Sequence, residues 1–322
     1  MKKRENRKQN KKAGDGMIQS DTNTCLLCEN EQSLIPIKQH FMCSECLDEG
    51  NDWRLAQWES WFQKRISRYL HLCHKCLKTD DIEAVHQARV IGRKIMALLQ
   101  FLNAPKNHSV IKVLKNIHSL LNPVREANVF LEAFESRNDK VHQQLFKKVR
   151  KKRKKLQKKL QQSLPPLIEK ASRRMSAFSA EELPFYALSI DPEAQILLFE
   201  NQFNEKIERY KQFVDAYGKR APESIKALHK VRIQSKALRY MYAELGGLLG
   251  QDFSKKEKHY KDIQSQFGEI NDVQDWLNKL DRYKNKLDAS EEEMAAVEKK
   301  WQNRLKALHE EVELVLIENR AG

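Results

Sequence analysis

Residues 224–245, SIKALHKVRIQSKALRYMYAEL, put His229, Arg232, Lys236 and Arg239 at offsets of 0, 3, 7 and 10. On a helix of 3.6 residues per turn these four share one face, a ladder of cationic groups. Leu228, Val231, Leu238, Met241, Tyr242 and Leu245 fall on the adjoining stripe and suit a packed interior. The cations therefore border a core, and the rest of the chain has to account for them.

A second copy of the pattern lies 143 residues upstream: AVHQARVIGRKIMALLQFL (84–102) aligns with ALHKVRIQSKALRYMYAEL (227–245). His86 matches His229, Arg89 matches Arg232 and Arg93 matches Lys236. Farther along each copy, LLNPVREANVFLEAF (120–134) is similar to QFGEINDVQDWLNKL (266–280), with Arg125-Glu126 in the place of Asn271-Asp272. Long-period self-similarity of this kind marks two related structural halves. A lone His is usually a hydrogen-bonded core residue, but recurrence in matching Arg-bearing frames favours a binding role for His86 and His229.

Composition agrees with helices. Of 322 residues only 10 are Gly and 8 Pro, whereas 32% are charged; this is the palette of long helices rather than of strands and turns. Periodicity and punctuation predict helices at about 53–78, 80–103, 108–121, 124–136, 139–163, 167–179, 193–217, 223–245, 255–267, 271–287 and 291–318. Asp80-x-x-Glu83, Ser254-x-x-Glu257 and Ser290-x-x-Glu293 read as capping boxes, and Pro222 suits a first helical turn. Residues 181–192 read as the loop between the halves, about 53–180 and 193–318.

The six cysteines all precede residue 77, as three C-x-x-C pairs. Cys25/Cys28 and Cys43/Cys46 are separated by 14 residues, close to the spacing of zinc knuckles, and four thiolates so placed can close a tetrahedron around a structural Zn ion. Disulfides are the competing reading, disfavoured in the reducing, cytoplasmic compartment expected of a chain whose basic start (residues 1–20, read as a disordered tail) is not followed by an apolar export segment. A unit of residues 21–50 is too small to hold itself together by apolar burial, so a metal staple fits. Such a unit also offers a docking point for a protein partner. The third pair, Cys73 and Cys76 with His71 and His74 beside them, reads either as a second metal or redox site or as small core residues on an amphipathic helix.

The formal charge is +15, which calls for a polyanion: nucleic acid, anionic membrane or phosphate polymer. No window is apolar enough to span a bilayer. The run KKVRKKRKKLQKK (147–159) adds ten basic residues and no acidic one. It reads as a solvated helix face or as a further groove wall, with Lys148, Lys151, Lys152 and Lys155 sharing one side.

The paired helices and the segments after them resemble the CHAD domain family, whose halves carry His-x-x-Arg-[Val/Ile]-x-x-[Arg/Lys] helices. The resemblance covers about 53–318. It implies an all-α fold of two pseudo-symmetric helical bundles enclosing a basic groove or pore, here preceded by a zinc-ribbon-like unit. It also implies non-catalytic binding of inorganic polyphosphate, in the cytoplasm or at polyphosphate granules, by His86, Arg89, Arg93, Lys94, Arg125, His229, Arg232, Lys236 and Arg239. Departures from the family pattern are Met96 and Ala237, where a further cation is common, Asn122-Pro123 in place of a glycine region, and Glu126 in place of Asp. RNA or DNA binding is the alternative, disfavoured by the scarcity of exposed aromatics near the ladder for base stacking. An enzyme is not expected, because no P-loop, strand-borne acidic cluster or nucleophile with its base is present. Since an anion raises the pKa of a contacting His, binding is expected to strengthen between about pH 7.5 and 6.

Overall fold

The computed structural model describes residues 24, 25, 28, 31, 33–37, 40–46, 49–78, 80–137 and 139–318. The expected basic tail of residues 1–20 lies outside them. The chain divides between Trp53 and Arg54 into two compact units.

The small unit contains a two-stranded antiparallel sheet. Strand β1 (Leu34–Ile37) pairs with β2 (His40–Cys43) in the register Leu34 to Cys43 and Ile37 to His40. Cys25 forms an isolated bridge with Phe41, and the amide of Cys46 donates to the carbonyl of Cys43 in a tight turn (3.0 Å). Among the described residues Met42, Cys25 and Cys43 are its buried side chains.

The large unit is helical. It comprises α1 (Glu49–Lys78) from Arg54 onward, α2 (Ile82–Phe101), α3 (Ser109–Phe134), α4 (Lys140–Ser163) and α5 (Pro165–Ala177), then a π turn at Phe178–Glu182 and α6 (Leu183–Ser189). The second half continues with α7 (Pro192–Tyr217), α8 (Pro222–Leu249), α9 (Ser254–Tyr283), a 3₁₀ turn at Lys284–Lys286 and α10 (Glu291–Glu318). In the first half α3 packs on α2, α4 and α5; in the second α8 packs on α7 and α9, and α9 on α10. The two signature helices, α2 and α8, pack on each other, and this contact joins the halves. Large aromatic side chains of α1 reach across the core: Trp58 stacks on Phe101 of α2 at 6.3 Å, and Phe62 meets Phe178 at 5.4 Å.

Punctuation in the sequence is partly overridden by packing. The break expected between 121 and 124 is absent, and α3 runs through Pro123. The proline ring forfeits one backbone hydrogen bond, but Leu121, Val124 and Ala127 are buried around it and hold the helix together. The break expected near 267–271 is likewise absent, because Phe267, Ile270 and Val273 anchor α9 on either side of Gly268. Helix α8 passes Gly246 and Gly247 and stops at Gly250, whose φ of 65° is the left-handed conformation of a helix C-terminus. The expected linker 181–192 contains α6, which buries Leu183, Pro184, Ala187 and Leu188.

Of the expected capping boxes, Ser290 with Glu293 forms reciprocally: the Glu293 amide donates to Ser290 Oγ (3.1 Å) and the Ser290 amide to Glu293 Oε2 (2.8 Å). The start of α2 is capped by Asp81, not Asp80: Asp81 Oδ1 accepts from the amides of Glu83 (2.8 Å) and Ala84 (3.2 Å). Asp80 is taken instead by Arg153. Ser254 caps nothing; its amide donates to Asp252 Oδ1 (2.8 Å).

Candidate functional site

Helices α2 and α8 pack on each other and bring two rungs of each ladder into electrostatic proximity. Arg89 and Arg93 from α2 lie within electrostatic reach of Lys236, and Arg93 also of Arg232. All four are partly buried. Burial followed by the charge of Arg93 pushes Arg89 down to about 10, and burial followed by Arg232, Arg93 and Arg89 pushes Lys236 down to about 7. Cations packed this closely and partly dried raise one another's cost of ionisation, which is stored demand for an anion. The carboxylates facing them are few. Asp272 of α9 acts on Arg232 and Lys236, and burial raises its own pKa; Glu126 of α3 acts on Arg89.

Two further features fix the wall. Asn122, which replaces the family's glycine region, accepts the Nε–H of Arg89 at 2.7 Å and so aims the guanidinium. His118 of α3 is buried beside Arg93 and Arg89; burial and those two charges push it down to about 3, so its ring is neutral. The neighbouring Gly92 leaves room for it: a Cβ there would stand 2.4 Å from His118 Nε2 and 2.8 Å from the ring of Tyr69.

The remaining candidates divide. His86 adjoins the cluster; burial, then Arg125, pushes its pKa down. Arg125 is half-engaged, donating to Glu132 Oε1 at 2.8 Å. Lys279 of α9 is ion-paired with Asp275; burial, with the charges of Lys152 and Arg282, lowers it to about 8. Within the basic run Lys148 and Lys152 are half-buried, while Lys151 and Lys155 are exposed. Arg239 donates to Gln264 Oε1 at 2.9 Å and lies over the ring of Tyr240. His229 is exposed, and among the described contacts it has none with the cluster.

Lys94 is turned to a different task. It pairs with Glu244 Oε1 at 2.5 Å, and Glu244 also accepts from Trp61 Nε1 (2.5 Å) and from Arg65 Nε (2.9 Å) and Nη2 (2.5 Å). One fully buried carboxylate on α8 therefore gathers groups from α1 and α2. Arg153, in the middle of the basic run, is likewise structural: it is buried, donates through Nε to Asn128 Oδ1 (3.0 Å) and pairs with Asp80. Glu244 is the residue that sequence reasoning missed, though a lone Glu on the apolar side of α8 was a readable signal.

In the small unit the Sγ atoms of Cys25, Cys28, Cys43 and Cys46 all lie within 4.8 Å of one another, with Cys28 and Cys43 at 3.5 Å. Four thiolates at about 2.3 Å from a tetrahedral metal stand about 3.8 Å apart, so these residues fit a Cys₄ metal site with no open coordination position. Cys73 and Cys76 do not form a second one. Both are buried and burial raises both thiols, Cys76 to about 12, whereas His71 and His74 point to solvent.

Comparison with known proteins fits this geometry. The family model described as CHAD domain matches residues 62–281. The chain belongs to the CHAD domain family. A crystal structure of the CHAD domain from the plant Ricinus communis superposes with a TM-score of 0.60 at 17% identity, covering 81% of this chain and 91% of that one. At that identity the likeness speaks for the fold. No curated protein sequence matches the chain. As a CHAD protein it places the signature helices at the junction of its halves, and among the described residues no helix is long and apolar enough to cross a membrane.

Proposed function

We propose that this CHAD protein binds inorganic polyphosphate, non-catalytically, in the groove where α2 and α8 meet. The observation that carries the reading is the convergence of Arg89, Arg93, Arg232 and Lys236, two from each half, with Asp272 and Glu126 as the carboxylates that face them. A phosphate chain supplies closely spaced negative charge, Arg meets it with paired hydrogen bonds, and displaced counterions drive association. Arg125, half-engaged with Glu132, and Lys152 extend the track toward α4.

Nucleic acid is the competing ligand. Tyr240, within electrostatic reach of Arg89 and Arg232, is only 8% exposed, so it offers no face on which a base could stack. A titration against long-chain polyphosphate, single-stranded RNA and heparin at several salt concentrations tests the reading. Polyphosphate is expected to bind tightest at equal charge concentration, with affinity falling steeply as salt rises. RNA displacing polyphosphate would transfer the groove to nucleic acid.

No chemistry is assigned to the groove, and incubation of the protein with polyphosphate and Mg²⁺ is expected to release no phosphate. For the Cys₄ site we propose zinc in a structural role, its ligands being Cys25, Cys28, Cys43 and Cys46. Docking of a protein partner is the function we assign to that unit, and the cytoplasm, including polyphosphate granules, is the location the ligand implies.

A further inference from the structure

Every exposed residue of α4 is Lys, Arg or Gln. No Asp or Glu occurs between Asp139 and Glu169. An ordinary solvated helix face mixes both signs, and like charges at spacings of three and four destabilise the helix that carries them. Among the described residues, Lys140 is the one exposed cation of α4 with a carboxylate beside it, Asp288 Oδ2 at 3.8 Å. The others face solvent without neutralisation.

Lys147, Lys151, Lys154 and Lys158 stand at offsets of 0, 4, 7 and 11 and form a single line. At 1.5 Å per residue the line is about 17 Å long. Val149, Arg153 and Leu160, on the opposite side of the helix, are buried, so the line points outward. Lys152, whose charge acts on Lys279 of α9, lies about a third of a turn away. The outward line is therefore a surface separate from the proposed groove.

Shape and chemistry select its partner. A thin, flexible phosphate chain is held best where cations converge on it from two helices. The convex face of one helix touches its ligand from one side, which suits a partner stiff and broad enough to present many phosphates to that side. A nucleic-acid duplex carries one charge per about 1.7 Å of axis, so phosphates come within reach of each lysine along the line. Single strands are held largely by stacking on aromatic side chains, and α4 exposes none. Insertion into a lipid surface needs an apolar face, and the apolar stripe of α4 is buried.

We propose that the outward face of α4 docks double-stranded nucleic acid through its phosphate backbones, without sequence preference. Ammonium groups act there as point charges and displace condensed counterions. The surface stands whether or not the groove takes polyphosphate; with both occupied, the protein bridges a nucleic acid and a phosphate polymer.

The test is binding of the full chain to a short fluorescent DNA duplex of mixed sequence across a range of salt concentrations, with long-chain polyphosphate and anionic phosphatidylserine vesicles as parallel arms. The wild type is expected to bind the duplex with a slope of log K against log salt of about −3 to −4, whatever the sequence. The triple variant Lys147→Gln, Lys154→Gln, Lys158→Gln is expected to lose roughly a hundredfold in duplex affinity at 0.1 M salt and to flatten that slope by about 2 to 3, with helicity by circular dichroism and polyphosphate affinity unchanged. Arg89→Gln with Arg232→Gln is expected to do the reverse, weakening polyphosphate and sparing the duplex. Loss of polyphosphate with intact duplex binding across the wild type would remove the proposed function and leave this surface standing. Duplex binding undiminished in the triple variant would place it on another part of the chain and overturn the inference. Equal loss of duplex and polyphosphate in that variant would make α4 a wall of the groove and overturn it too, as would binding of the vesicles but not of the duplex.

Discussion

A single lysine shows how stability and binding pull against each other. Lys236 is held near 7 in the fold, mainly by burial and then by Arg232, Arg93 and Arg89, while a lysine in an unfolded chain titrates near 10.4. Between those values the unfolded chain holds a proton that the native groove lacks, so this residue makes stability rise with pH across the window from about 7 to 10.4. Below pH 7 the native state must carry the buried charge. Lys236→Met is therefore expected to raise the melting temperature at pH 6 by roughly 2–4 °C, equivalent to about 1 kcal/mol, while weakening polyphosphate binding. A melting temperature unchanged or lowered would show that Lys236 is better solvated than its surroundings indicate. Glu244 makes the opposite case. Its carboxylate satisfies Trp61, Arg65 and Lys94, and Glu244→Ala would leave those groups facing an apolar gap. A loss of about 3 kcal/mol in denaturant unfolding is expected, the low end for a broken buried pair because Arg65 and Lys94 keep some solvent.

Elements are set by the balance between local signals and what their faces bury. The interior Gly92 of α2 is costly for a helix, yet it lets His118 of α3 and Tyr69 of α1 approach the backbone. Gly92→Ala improves helix propensity, but its methyl would overlap His118 Nε2, and the overpacking is expected to dominate with a net loss of about 1–3 kcal/mol. Thermal unfolding distinguishes the two: a gain in stability would mean that the His118 ring can swing away. Helix α4 shows the same balance from the charged side. Ten basic residues in thirteen would repel one another on an isolated helix, and α4 forms because Val141, Leu145, Val149 and Leu160 bury one stripe while Arg153 is neutralised by Asp80.

At the scale of the whole molecule, the two units are stabilised by different means. The helical unit buries aromatic and aliphatic side chains from helices of both halves, whereas the small unit offers, among its described residues, a two-stranded sheet, one buried Met and four cysteines. Chelation is therefore expected to expose four reactive thiols and unfold the small unit, with the helical circular dichroism signal nearly unchanged. Loss of the helical signal on chelation would show that the metal also holds the larger unit.

The sequence by itself determined the helical class, the duplication, the order of the halves and the cysteine quartet. These are local or periodic properties: side-chain spacing follows from helix geometry, and thiol spacing from what a metal can bridge. Its punctuation misled at Pro123 and Gly268, where burial on both sides outweighs one lost hydrogen bond or one flexible residue. Tertiary structure alone decided which cations face the groove. Lys94 and Arg93 are neighbours in the chain, yet one is neutralised by Glu244 of the other half and one faces the cluster. Charges act through space, so the partner that quenches or frees each of them is set by which helices pack together, over separations in sequence that no local pattern records.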